Sequence, residues 1–123
     1  MSVREPRLPG PDHPIDIVPE TRRVRVLWND KVVADTTRAL ALTEASYPTA
    51  FYIPREDADP ALLERTDHST HCPYKGDASY FTLADGSTRV DNAVWSYETP
   101  YPAMSAIAGH LAFYPNKVRI EVQ

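Results

Sequence analysis

The sequence predicts a mainly-β domain with minor helix, and three observations carry that expectation. Short runs alternate apolar with polar or basic residues, as in RVRVLW (23–28), ASYFTL (78–83) and VRIEV (118–122). That is the period of a half-buried strand. Two of these runs lead into tight-turn pairs, Asn29-Asp30 and Asp85-Gly86, each followed by another apolar run, which is the pattern of a β-hairpin. Nothing in the chain alternates strands with long helices, so a parallel βαβ fold is not expected.

Taken in order, the chain opens on a proline-rich arm at residues 1–22, with Pro6, Pro9, Pro11, Pro14 and Pro19 within its first twenty positions. Proline fixes φ and removes an amide donor, so this arm is expected to be extended or irregular. It can wrap the domain or cross to a second subunit, making a homodimer. Residues 23–123 form the single domain. RVRVLW, the Asn29-Asp30 turn and VVAD (32–35) give a first hairpin, and FYI (51–53) a short strand closed by Pro54. In DADPALLERT (57–66), Asp59 caps a short helix that carries Pro60 at its first position. ASYFTL and TRVDNAVWSY (88–97) make a second hairpin through Asp85-Gly86. Apolar residues at helical spacing in PAMSAIAGHLAFY (102–114) predict a helix over roughly 103–111, and VRIEV closes the chain as a strand.

A chain of 123 residues buries roughly two-thirds of its unfolded surface, enough for one core without disulfides. The net charge is −4, and Arg22-Arg23 is the only adjacent basic pair. Nucleic-acid binding rests on counterion release at a basic surface, so no nucleic-acid partner is expected. No apolar run approaches the ~18 residues of a membrane span, and the N-terminus lacks the apolar core of a secretory signal. The lone cysteine, Cys72, agrees with a reducing cytoplasm and excludes a zinc knuckle built on cysteine pairs.

Residues 67–80, DHSTHCPYKGDASY, concentrate the chemistry in a stretch expected to be an irregular polar loop. Cys72 is a nucleophile if His71, His68 or Lys75 lowers its pKa, with Asp67 orienting a histidine. Its bland alternative is a small, partly buried hydrophobe. The two histidines, Cys72 and Asp67 offer metal donors, but adjacent His71 and Cys72 are a poor chelating pair, so no metal or cofactor is expected. Lys75 beside Gly76 suits an anionic group on a ligand, or a plain charged turn. The DxD at Asp57-Ala58-Asp59 is explained by helix capping. Trp95 and Tyr97 share one face of a strand and, with Tyr74 or Tyr80, can wall a pocket for a flat or cationic ligand. Trp28 and Phe51 default to the core.

THCPYKGDASY (70–80), FYIPREDAD (51–59), NAVWSY (92–97) and IAGHLAFYPNKV (107–118) resemble a bacterial and fungal family known as domain of unknown function 427. Its most recognisable motif, CPxKGxAxY, falls on Cys72, Pro73, Lys75, Gly76, Ala78 and Tyr80. The resemblance implies a β-tent-like fold, with two small antiparallel sheets meeting at an angle over a shared pocket and one or two short helices. Relatives of that fold include B-type methionine-sulfoxide reductases and the ligand-binding domain of cereblon. Many carry a structural zinc on two cysteine pairs, which one cysteine cannot supply. The nucleotidyltransferase-like label attached to the family is not matched here by a Gly-Ser helix start or by metal-binding carboxylates.

The expectation is therefore a cytoplasmic domain that binds a small molecule between its sheets. The loop at 67–80 forms one wall, Trp95 and Tyr97 stand opposite, and Lys75 anchors an anionic group. Two alternatives stay open: a cysteine-dependent enzyme using Cys72 with His71 or His68, and a protein-interaction domain using the arm.

Overall fold

The computed structural model describes residues 6–123. The first five residues of the proline-rich arm lie outside the described residues. Among the described residues, ten strands, β1 (Ile15–Pro19), β2 (Val24–Trp28), β3 (Lys31–Thr36), β4 (Leu40–Glu44), β5 (Ala50–Tyr52), β6 (Leu63–Cys72), β7 (Gly76–Asp85), β8 (Thr88–Ser96), β9 (Ala112–Phe113) and β10 (Arg119–Val122), make the fold mainly β. They form three antiparallel sheets, ordered β1-β4-β5, β10-β2-β3 and β6-β7-β8-β9. Three sheets replace the expected two because β1 and β4 pair with one another, Ile17 opposite Leu42.

The four-stranded sheet packs apolar side chains against each of the other two sheets. Neighbouring residues on its strands therefore divide between two cores. Phe81, Val94 and Phe113 pack with Val24, Val26 and Val33 of the β2-β3 sheet. Tyr80, Trp95 and Ala112 pack instead with Leu42 and Tyr52 of the β4-β5 sheet. Trp28 and Phe51 are partly buried against the first cluster, as expected.

Local chemistry explains the hairpins. Asn29 and Asp30 both take positive φ, 52° and 61°, the conformation that matches a two-residue turn to strand twist. Between β7 and β8 the two-residue turn is Gly86-Ser87, one position beyond the expected pair, with Gly86 at φ 61°.

Three further expectations are corrected. The helix over 103–111 is a 3-10 turn at Pro102–Ile107, interrupted by non-helical dihedrals at Met104. Its helical spacing arose otherwise: Met104 and Ile107 are buried in the second core, whereas Leu111 reaches the first core through a strand-like bridge to Ile53. The short helix after Asp59 is one 3-10 turn, Pro60–Leu62, with Asp59 accepting from the Ala61 amide as its cap. Leu63 is already extended and pairs with Leu83.

The third correction concerns residues 67–80, which form the end of a long hairpin rather than an irregular loop. His71 lies opposite Asp77 and Cys72 opposite Gly76, with only Pro73, Tyr74 and Lys75 between the strands. β6 is an edge strand with much of its surface in solvent, so it tolerates a polar sequence that would not suit a central strand. Its pairing breaks at a bulge between Arg65 and Ser69, where Asp67 and His68 sit.

The described part of the arm wraps its own domain. Gly10 and His13 exchange backbone hydrogen bonds, the Arg7 amide donates to the Pro73 carbonyl at 2.8 Å, and β1 completes the β1-β4-β5 sheet. Pro19 ends β1 on an edge strand, where a missing amide donor is tolerated.

Candidate functional site

Where the three sheets converge, a cavity of ≈ 700 Å³ opens to solvent. Strand alternation brings side chains from each sheet into it: Leu42 and Tyr52 from the first, Tyr80 and Trp95 from the four-stranded sheet, and Ile120 from β10. Tyr97 and Tyr114 complete the aromatic wall.

The aromatic side chains hold one another in place. The Trp95 indole N–H donates to the Tyr52 hydroxyl at 3.1 Å, the two rings meeting edge to face at 6.2 Å and 90°. Trp95 packs on Tyr114 with centroids 4.5 Å apart. The Tyr114 hydroxyl lies 3.2 Å from that of Tyr80, which in turn lies 3.0 Å from the Thr70 hydroxyl. Burial pushes the Tyr52 and Tyr97 phenols well above the usual tyrosine range. Burial, aided by the Tyr80 hydroxyl, pushes Tyr114 up to about 12. These phenols are thus protonated at neutral pH, and the wall carries hydroxyl groups rather than phenolate charge.

One ion pair lies at the rim. Lys75 is only 7% exposed, although it stands in a hairpin turn. Gly76 follows it at a φ of +105°, a conformation that side chains rarely adopt. The Lys75 carbonyl is held by the Tyr101 amide at 3.1 Å. The Lys75 ammonium donates to Oε1 of Glu44 and lies 5.7 Å from the Tyr97 ring centroid. The other oxygen of Glu44, Oε2, is 2.7 Å from Nε2 of His13. Burial raises the Glu44 pKa, but the hydrogen bonds from Lys75 and His13 outweigh it and leave the carboxyl below its ordinary value. His13 is also stacked on Tyr74, with ring centroids 4.0 Å apart and planes 7° from parallel.

The structure thus gathers Lys75, Tyr80, Trp95 and Tyr97 at one cavity, while Tyr74 supports the rim from outside through His13. The other candidates disperse. Cys72 is half-buried against the second core. His71, its neighbour on an extended strand, points to the opposite face, and its Nδ1 is 2.7 Å from Oδ1 of Asp77. His68 packs edge-on against Tyr80 at 4.5 Å. It stands four positions before Cys72 along β6, a separation on the order of 10 Å. Asp67 is exposed in the bulge beside a shallow polar surface containing Arg89 and Asp91. Each histidine thus has a partner other than the thiol, Asp77 for His71 and Tyr80 for His68.

Glu44, Tyr52, Tyr114 and His13 are the site residues that sequence reasoning missed. A signal existed for one of them: Leu40, Leu42 and Glu44 occupy the same face of a single strand, which puts a carboxylate on the inward row. The DxD aspartates serve structure, Asp57 accepting from Thr36 and Arg38 and Asp59 capping its turn. Among the described residues, no group of three or more histidine, cysteine, aspartate or glutamate side chains is arranged to hold a metal ion. Among the described residues, no helix is long and apolar enough to cross a membrane.

A smaller cavity of ≈ 340 Å³ lies beside Phe81, Arg55 and Arg65. Both guanidiniums already pair with Glu98, at 3.4 and 2.7 Å.

An antiparallel β fold with sheets converging on an aromatic cavity is the class of protein defined here. Residues 16–123 match the family described as Domain of unknown function (DUF427), and the chain belongs to that family. The match begins inside β1, so His13 and the turn that carries it precede the matched residues. No curated protein matches the chain.

Proposed function

We propose that this domain binds a small, flat molecule in the aromatic cavity, acting in the cytoplasm as a binding module. The observation that supports this reading is the ≈ 700 Å³ cavity walled by Tyr52, Trp95 and Tyr114 at the convergence of three sheets. Its size and mixed lining suit a metabolite-sized ligand: pockets of roughly 300–1,000 Å³ with apolar walls and a few fixed polar groups are the usual form of such sites. Trp95 offers a stacking face whose orientation its bond to Tyr52 fixes, so little side-chain entropy is lost on binding. Lys75 and Glu44 act together as a donor and an acceptor at the rim.

The test is thermal stabilisation of the full chain by a library of aromatic metabolites, since a ligand of the folded state raises its melting temperature. A hit is expected to keep its effect on Cys72→Ser and to lose it on Trp95→Leu. A hit that survives Trp95→Leu but disappears with Cys72→Ser would replace the binding reading with thiol chemistry.

A further inference from the structure

What such a pocket accepts depends on its charge, and one ion pair sets that charge. The Lys75 ammonium and the Glu44 carboxylate are in contact, and His13 occupies the second carboxylate oxygen. Their opposite unit charges cancel, so the cavity sees a dipole and not a net charge. The surrounding phenols of Tyr52, Tyr97 and Tyr114 are protonated, as argued above. An ion entering this partly apolar space gives up water and finds no net counter-charge. To gain one it would have to break the Lys75–Glu44 contact and leave one partner unpaired. An uncharged ligand meets neither obstacle.

Building on the aromatic-pocket reading, we infer that the site selects uncharged planar ligands bearing a carbonyl next to an N–H, and that Glu44 determines this selectivity by masking Lys75. The complementarity is direct. An ammonium has three donors, and Lys75 spends one on Glu44, so a ligand carbonyl can take another. The ligand N–H donates to a lone pair of the Glu44 carboxylate, and the ring lies against Trp95. Without Glu44, Lys75 becomes a lone cation at the end of an aromatic slot, which suits a carboxylate. Without Lys75, Glu44 and the tyrosine faces favour an organic cation.

Three probes that share a phenyl ring and differ in charge test this: phenylacetamide, phenylacetate and phenethylamine. Each is titrated by saturation-transfer NMR into the full chain, Glu44→Gln and Lys75→Met at low ionic strength, with circular dichroism to confirm folding. The native protein is expected to prefer phenylacetamide over both ions by about tenfold. Glu44→Gln should make phenylacetate the preferred probe, and Lys75→Met should do the same for phenethylamine. Native protein that binds phenylacetate more tightly than phenylacetamide overturns the inference and makes Lys75 an anion clamp. An unchanged order in both variants overturns the role of Glu44. If either single variant fails to fold, the double variant Glu44→Gln/Lys75→Met keeps the test. It is expected to prefer phenylacetamide, and a preference for phenylacetate overturns the proposal. Absence of binding by all three probes to every folded protein would overturn the pocket reading itself, an outcome distinct from a changed order of preference.

Discussion

Lys75 and Glu44 meet across 31 positions of chain, the ammonium in a hairpin turn and the carboxylate at the end of β4, and both side chains are largely withdrawn from water. Removing one partner of such a pair leaves the other desolvated and alone, which costs more than the pair itself contributes. Glu44→Ala is therefore expected to lower stability by about 2 kcal/mol, below the range for fully buried pairs because the cavity admits water. Urea denaturation measures it. Lys75→Met/Glu44→Ala should be destabilised by less than Lys75→Met and Glu44→Ala together, because no unpaired charge remains; a double variant equal to the sum of those two singles would mean that the pair does not couple.

Acid should find a second carboxylate. Arg65 holds Glu98 at a pKa of about 2, against an ordinary 4.5, with 2.7 Å between the charged groups. A carboxyl whose pKa is lowered by folding stabilises the protein above its unfolded value. That contribution is lost as pH falls through the folded value. The Glu98 contribution should thus be complete above pH 4.5 and gone near pH 2. Allowing for solvent screening, it amounts to about 1 kcal/mol. The difference in stability between native protein and Glu98→Gln, followed from pH 6 to pH 2, should shrink toward zero. A constant difference would show that Glu98 acts through packing alone.

Gly76 tests the turn that presents Lys75. A β-carbon there would meet only ordinary contacts, the nearest being the Tyr101 nitrogen at 3.5 Å. The cost of Gly76→Ala is therefore conformational, arising from a φ of +105°, and is expected to be about 1–3 kcal/mol. Because the strained residue follows Lys75 directly, ligand binding should weaken as well. A variant of unchanged stability would show that the backbone adjusts freely at this position.

The legible parts of the molecule were those encoded locally. Asn29-Asp30 announces its own turn, and alternation around Trp95 announces its strand. Lys75, Tyr80, Trp95 and Tyr97 could be grouped because hairpin pairing keeps them near in sequence. The first sheet was hidden because β1 begins in a proline-rich segment and ends on Pro19, a composition that reads as irregular although an edge strand accepts it. β6 read as a loop for a similar reason: an edge strand with a solvated face carries no apolar alternation. Met104, Ile107 and Leu111 reproduced helical spacing while serving two separate cores. Glu44, Tyr52 and Tyr114 come together only through the closure of three sheets, and no local pattern records that.

The thiol offers a sharp check on chemistry. Cys72 faces the second core while the His71 ring pairs with Asp77 on the other side of β6. Alkylation of native Cys72 by iodoacetamide is expected to be slower than in urea-denatured protein, because half-burial limits access. Its rate should not change in His71→Gln or in His68→Gln. A marked fall in either variant would show that a histidine reaches the thiol and would restore the cysteine-dependent reading.

The part of the arm before β1 should be removable without loss of the sheets. His13 stacks on Tyr74 and reaches Glu44, and the Ala45 amide donates to the Pro14 carbonyl at 2.7 Å. All these contacts lie at the Lys75–Glu44 end of the cavity, and all involve residues before the family match at 16. Deleting residues 1–14 should therefore leave the three sheets intact while freeing Oε2 of Glu44. Hydrogen exchange at the Ala45 amide is expected to accelerate by an order of magnitude or more, since its acceptor is gone. Exchange at the centre of β7 should not change. His13→Ala is the milder form, expected to loosen the same amide while keeping the chain length. If the deletion unfolds β4 and β5 as well, the arm is an integral strand partner of the domain. If exchange at Ala45 stays slow, the Pro14 carbonyl is not what protects that amide.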